Sequence, residues 1–312
     1  MKALIIGGAG FVGGYLIHEL ACSGYEVHAT CLPSEKIDSA ECSSHILDIL
    51  AANDITALLD KIHPDCIFHL AAQSSVALSW KRPQLTADIN IKGTINVLEA
   101  LHESKKSNAR ILLIGSGEEY GFIREGACPI SEEEPLRPGN VYAATKACQA
   151  MMGEIYCRAY NMDIIMIRAF NHSGPGQLPF FVISDFCHQI AEIEKGIHSP
   201  EMLVGNLSAM RDFTDVRDVV RAYRLLCENG KCGQTYNVGR GKAVPISDIL
   251  NTALSLSKCK IEVNQDPNKM RASDIPIIEP NVSKILEDTG WKAEISMEQT
   301  IRDTLEFWRT SL

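Results

Sequence analysis

The sequence predicts an α/β chain: a doubly wound parallel sheet with a smaller α/β lobe interleaved with it. Three observations carry this. Short apolar runs alternate with helical patterns through the first half, a glycine-rich turn joins the first run to the first helix, and the alternation becomes irregular after Arg168.

Taken in order, Ala3-Leu4-Ile5-Ile6 is a continuous apolar run stopped by Gly7-Gly8, and residues 11–21 read as an amphipathic helix. Further strands are expected at 26–30, 66–70, 111–114 and 164–167, with helical patterns between them. Gly174-Pro175-Gly176 then forms a loop ahead of a helix-like stretch at 182–195. Strand and helix signals return at 235–238, 246–256 and 297–308. A chain of 312 residues fits two lobes at roughly 150 residues each. We assign 1–168 plus about 208–240 to the first lobe and 169–207 plus about 241–312 to the second.

Composition excludes several classes of function. Hydrophobic residues make up 46% and charged residues 22%, which is ordinary globular usage and not that of a disordered chain. The net charge of -9 and the lack of any long Lys/Arg run argue against nucleic acid as a partner. There is no apolar run near 18 residues and no signal-type start, so no membrane association is expected. The eleven cysteines show no C-x-x-C pair, which predicts reduced thiols and a cytoplasmic location.

The turn G-G-A-G-F-V-G lies between the first strand and the first helix. There Gly7, Gly10 and Gly13 let backbone N–H groups and the helix dipole meet a pyrophosphate, with Phe11 and Val12 inside the same turn. This predicts a Rossmann-type dinucleotide site. The second strand ends Ala29-Thr30-Cys31-Leu32-Pro33, without the carboxylate that would select NAD, whereas Lys36 follows and could reach a 2′-phosphate. NADP and NAD both stay open, with a lean to NADP.

Tyr142 and Lys146, in Y-A-A-T-K, stand four apart at the start of a predicted helix and project from one face. An ammonium beside the phenol is expected to lower its pKa and make Tyr142 an acid/base catalyst. Ser116, just past the fourth strand, lies at the carboxyl edge where α/β ligands bind and is expected to hold the substrate oxygen. Glu118 next to it could abstract a carbon-bound proton or cap the following turn. No H-E-x-x-H pair or Cys cluster occurs among the nine histidines, so no metal is expected, and His69 and His172 read as structural.

At these residues the chain resembles the extended short-chain dehydrogenase/reductases, with G-G-A-G-F-V-G, H-L-A-A-Q, the Ser116 motif and Y-A-A-T-K in family order. The resemblance implies Ser116, Tyr142 and Lys146 as catalytic residues. It further implies cofactor contacts at Thr30, Asp48, Ile49, Leu70, Ala71 and Ala72 and with Tyr142 and Lys146. Within the family, R-A-F-N-H-S-G-P-G-Q, V-G-N-L-S-A-M-R-D-F-T-D-V-R-D and the Arg271 segment are similar to enzymes of GDP-deoxyhexoses. That makes the second lobe a sugar-nucleotide lobe with Asn171, Val204, Asn206, Arg211, Arg271 and Glu118 as substrate contacts, the arginines on the diphosphate. M-R-A-S-D at Arg271 departs from the family's R-P-x-E.

The similarity lies between GDP-6-deoxy-4-ketohexose reductases, which make GDP-rhamnose, and GDP-mannose 4,6-dehydratases. Ser173-Gly174-Pro175-Gly176-Gln177 and Cys31-Leu32-Pro33 favour the reductases, whereas Glu118 matches the proton-abstracting carboxylate of the dehydratases. A catalytically silent dinucleotide-binding sensor is the third reading, and the intact Ser116, Tyr142 and Lys146 argue against it. Apolar positions such as Met151, Met152 and Ile155 on more than one helix face, with the family's habit of pairing, imply a homodimer.

Overall fold

The computed structural model describes residues 1–104, 108–124, 126–269 and 275–312. The chain opens with β1 (Lys2–Ile6), α1 (Phe11–Cys22), β2 (Glu26–Cys31), β3 (Ser43–Ile46), α2 (Ala52–Ile62) and β4 (Cys66–His69). It continues through α3 (Val76–Lys81), α4 (Pro83–Ala87), a π-helical turn at Asp88–Lys92, α5 (Gly93–Glu103), β5 (Arg110–Ser116) and a 3-10 turn at Gly117–Tyr120. Next come α6 (Val141–Tyr160), β6 (Ile164–Ala169), β7 (Asn171–Ser173), α7 (Val182–Glu194), β8 (Glu201–Val204) and β9 (Met210–Asp215). The last part holds α8 (Val216–Asn229), β10 (Thr235–Val238), β11 (Ala243–Pro245), α9 (Ile246–Ser255), β12 (Glu262–Gln265), β13 (Ile277–Ile278), α10 (Ser283–Thr289) and α11 (Met297–Ser311).

Seven parallel strands form the main sheet in the order β10-β6-β5-β4-β1-β2-β3. Its central strands are apolar on both faces because helices cover both. On one face Leu16, Ile17 and Leu20 of α1 pack with Val219, Tyr223 and Leu226 of α8; on the other Ile55, Leu59, Val97, Leu98 and Ala150 come from α2, α5 and α6. This is the doubly wound architecture that the alternating pattern predicts, and it puts every βα turn used by the site at one edge.

The second lobe has its own core, with Ile183, Phe186, Ile190, Ile249, Leu250, Ile301 and Leu305 around two small sheets. In one of these β9 pairs with β7, β11 and β13; in the other β12 pairs with β8. The lobe boundaries read from the sequence need correcting. Residues 210–215 belong to the second lobe's sheet, because among the described residues β9 pairs with β7, β11 and β13 and with no strand of the main sheet. Ile285 and Trp291 return to the first core, where the Trp291 indole N–H donates to the Asp218 main-chain oxygen at 2.9 Å. β3 escaped the sequence reading because S-S-H-I is a polar edge strand with no apolar alternation. Among the described residues no helix is long and apolar enough to cross a membrane.

Candidate active site

Ser116 is the last residue of β5, and its Oγ accepts the Glu118 N–H at 3.2 Å, capping the 3-10 turn that follows. That turn carries two adjacent acids with opposite fates. Glu118 faces an open crevice lined by Ser116, Phe170, Asn171 and Ile278, and its Oε2 accepts from the Asn140 side-chain amide at 3.0 Å. Glu119 is fully buried; its Oε1 accepts the Ser116 N–H at 2.7 Å, and its Oε2 accepts from Nε of buried Arg168 at 3.3 Å. Arg168 also donates to the Tyr120 hydroxyl at 3.0 Å, and Tyr120 in turn donates to Asn237 at 2.7 Å. Only a glycine fits at 115, because a Cβ there would collide with the Glu119 carboxylate and with the main chain of Ile167. Burial pushes the Glu119 carboxyl up, and Arg168, the Ser116 N–H and Lys146 oppose that push.

Tyr142 and Lys146 both enter from the first turns of α6. Asn140 is its N-cap, with Oδ1 accepting the Ala143 N–H at 2.8 Å, so one amide fixes both the start of the helix and the Glu118 carboxylate. The Tyr142 N–H donates to Ser79 Oγ at 3.2 Å. Asn90, in the π-helical turn, donates to Thr145 Oγ1 at 2.9 Å and accepts the Gln73 N–H at 2.8 Å, so it links this end of α6 to the loop after β4.

Ser116, Tyr142, Lys146 and Glu118 thus meet at the carboxyl edge of the sheet, with the Ser116 side chain close enough to the Tyr142 phenol to act on its pKa. The expected lowering of the phenol's pKa is corrected. Burial raises it, with Glu119 and Glu118 adding to the rise and only the Ser116 side chain working against it. Lys146 turns elsewhere: its Nζ donates to the Ile114 main-chain oxygen at 2.7 Å and to Gln149 at 3.0 Å. Burial lowers the Lys146 pKa to about 8, opposed by Glu119.

The glycine turn fits a pyrophosphate. Gly7 has φ +91°, and a Cβ there would stand 2.7 Å from the Ala71 backbone, so this strand end and the turn after β4 can approach only at a glycine. Gly13 lies so close to the Gly8 backbone that it too admits no side chain. Gly10 is the N-cap of α1, which has neither a side-chain cap nor an acidic residue in its first turn; a bound phosphate would supply that charge. Phe11 and Val12 are half-buried at this end, as are Leu70, Ala71 and Ala72 beyond β4.

The other predicted positions divide. Thr30 is buried, and its Oγ1 accepts the Gly7 N–H at 3.1 Å, so its side chain braces the turn. Asp48 is exposed and caps its own turn by accepting the Leu50 N–H at 2.9 Å; the Ile49 side chain is in the core against Gly93. Asn171 lines the crevice beside Glu118. Asn206 accepts from Ser208 N–H and Oγ at 3.0 and 2.8 Å, and Arg211 is buried, donating to the main-chain oxygens of Met210 and Ile275. Val204 is corrected: its side chain is fully buried in the second core, leaving no surface for a substrate. Arg271 lies outside the described residues. Lys36 is exposed and pairs with Asp38 at 3.5 Å. His172 Nδ1 donates to the Phe170 main-chain oxygen at 2.9 Å, and its ring lies parallel to Phe11, in keeping with a structural role. His69 bonds Thr94 at 3.0 Å, and burial holds it neutral with a pKa lowered to about 3, although its Nδ1 has no partner.

A glycine turn under a seven-stranded parallel sheet, with serine, tyrosine and lysine gathered at its carboxyl edge, defines a short-chain dehydrogenase/reductase of the epimerase/dehydratase type. The model of the GDP-mannose 4,6 dehydratase family matches residues 4–304, and the chain belongs to that family. It is 32% identical to the GDP-6-deoxy-D-mannose reductase of Pseudomonas aeruginosa, over 99% of this chain and 97% of the relative. It is 26% identical to a GDP-mannose 4,6-dehydratase of Vibrio cholerae, over 96% and 91%. The solved structure of RMD from Pseudomonas aeruginosa complexed with NADPH superposes with a TM-score of 0.89 at 31% identity, covering 100% of both chains.

Proposed function

We propose that this protein reduces a GDP-4-keto-6-deoxyhexose to the GDP-6-deoxyhexose, a product of the GDP-rhamnose type, with NADPH as the favoured cofactor. The observation that carries this reading is the full-length similarity to a reductase and to its NADPH complex. The turn at Gly7, Gly10 and Gly13 and the α1 N-terminus would hold the pyrophosphate, with Ala71 and Ala72 beside it. When bound, the reduced nicotinamide supplies hydride to carbon 4 of the sugar.

The chain's own groups do the rest. A Tyr142 phenol pushed up by burial stays protonated at neutral pH, as a proton donor to the carbonyl oxygen must. Ser116, beside that phenol, would hold the same oxygen as negative charge develops on it. Lys146 adds a buried positive charge to the floor of the site and takes part in holding the nicotinamide ribose. Asn171, Asn206 and Arg211 contact the sugar nucleotide in the second lobe, with Arg271 completing its diphosphate site. We assign the whole to a cytoplasmic homodimer, in accord with eleven free thiols.

Absorbance of NADPH, and separately of NADH, with purified protein and GDP-4-keto-6-deoxymannose tests the reading. Stoichiometric oxidation that Tyr142→Phe abolishes supports it. One observation favours a second reading: Glu118 faces the crevice, where a dehydratase needs a base. Conversion of GDP-mannose to the keto sugar without net cofactor use would establish that alternative.

A further inference from the structure

We propose that His18, Cys22 and Glu41 form a binding site for one divalent transition-metal ion, with zinc the ion that fits best, at the end of α1 remote from the glycine turn. His18 and Cys22 lie four apart on α1 and share a face, while Glu41 comes from the segment between β2 and β3. One ligand atom from each lies within 4.8 Å of the other two. His18 Nδ1 is 3.0 Å from Glu41 Oε1 and 3.9 Å from Cys22 Sγ.

These separations suit a tetrahedral ion. Zinc bonds of about 2.0–2.1 Å to nitrogen, 2.3 Å to sulfur and 2.0–2.2 Å to oxygen place tetrahedral N···O pairs about 3.4 Å apart and N···S pairs about 3.6 Å apart. The N···O separation of 3.0 Å is a little shorter and the N···S separation of 3.9 Å a little longer than those values, so seating an ion asks for side-chain rotations that open the first and close the second. All three side chains are exposed, which leaves the fourth position to water.

The donor set selects the metal class. Thiolate and imidazole disfavour magnesium and calcium, which take oxygen ligands, and suit zinc and its neighbours. Binding forms metal–sulfur, metal–nitrogen and metal–oxygen bonds and breaks the His18–Glu41 hydrogen bond; Nδ1 gives up its proton, so that the neutral imidazole carries its one N–H on Nε2, and the Cys22 thiol proton passes to solvent. No oxidant or reductant is involved. The sequence search for H-E-x-x-H missed this set because its helical half reads H-x-x-x-C and its carboxylate arrives from a separate segment.

The alternative is an ordinary exposed His18–Glu41 ion pair with a bystander thiol, and titration with Co2+ separates the two. The proposal expects one Co2+ per chain, a thiolate-to-cobalt charge-transfer band, and loss of that band when Zn2+ is added. Cys22→Ser should remove the band, and His18→Ala and Glu41→Gln should each weaken binding by about tenfold or more. All three substitutions are on the surface, so unchanged melting temperatures verify the fold. A band that persists in Cys22→Ser, or arises instead from the Cys157 and Cys232 thiols 3.6 Å apart, overturns the proposal, as does wild-type affinity no higher than that of His18→Ala.

Discussion

Lys146 Nζ donates to the Ile114 main-chain oxygen at 2.7 Å in a pocket that leaves the lysine almost without solvent contact. Its pKa of about 8 means that the ammonium is complete below that pH and is lost as pH rises through it. The kcat/KM for NADPH and the keto sugar, which reports the free enzyme, is therefore expected to decline above about pH 8. Stability has its own sign. The folded chain holds this proton less tightly than the unfolded chain does, so the cost of the buried charge is fully present below about pH 8 and fades toward 10.5. That cost is roughly 3 kcal/mol, offset by lost hydrogen bonds of about 1 kcal/mol each. Lys146→Met should thus be inactive yet melt a few degrees higher at pH 7, with the gain vanishing near pH 10.5. Calorimetry across pH reads this, and a lower melting temperature at pH 7 would contradict the argument.

Glu119 and Arg168 form a buried pair whose members cannot be removed singly without stranding a charge. Glu119→Ala is expected to cost about 3–5 kcal/mol in urea unfolding, and Arg168→Met added to it should recover part of that loss. Gly115→Ala should cost a comparable amount, because its Cβ occupies the carboxylate's place. A change under about 1 kcal/mol for Glu119→Ala would show that water reaches the pair.

These two residues also mark where sequence reasoning stopped. G-S-G-E-E-Y-G presents adjacent acids with nothing local to tell them apart; Glu119 is buried only because β6 brings Arg168 alongside. Gly115 was the available signal, since a glycine near the end of a buried strand marks a close approach. β1, β4, β5 and β6 were legible because strands covered on both faces carry continuous apolar runs, interrupted here only toward their ends by Lys2, His69, Arg110, Ser116 and Arg168. β9, M-R-D-F-T-D, was read as a substrate motif and not as a strand, because its buried polar residues hide the period of two. That Ser116, Tyr142 and Lys146 gather at one edge of the sheet was legible from the strand end and the four-residue spacing, but the direction of the Lys146 side chain was not, since it depends on the Ile114 oxygen and Gln149.

Glu118 separates the two chemistries. A ketone reduction needs a proton at oxygen and none removed from carbon, so Glu118→Gln, which keeps a polar group beside Asn140, should leave NADPH oxidation within about fivefold of wild type. A dehydratase relying on this carboxylate as general base would lose about 10²–10⁴-fold. Initial rates with the keto sugar and with GDP-mannose, measured on both proteins, distinguish these outcomes.

Met151 and Ile155 stand four apart on α6, 56% and 45% exposed, and so form an apolar strip on the helix that also carries Tyr142 and Lys146. Met152, by contrast, packs into the first lobe's core, so the apolar residues on α6 serve two different faces. Tyr160 stacks on His102 with ring centroids 4.0 Å apart, tying the end of α6 to α5 and keeping the two helices side by side. A two-fold copy placed against this pair would complete a four-helix contact and cover the strip. Light scattering should therefore give about twice the chain mass of 34.3 kDa, and the double variant Met151→Asp, Ile155→Lys should shift it to one chain. Phe180, 85% exposed in the second lobe, is the control, because Phe180→Ser removes an exposed aromatic group without touching α6. A wild-type monomer, or a dimer that survives the α6 changes and is lost with Phe180→Ser, would place the subunit contact elsewhere or remove it.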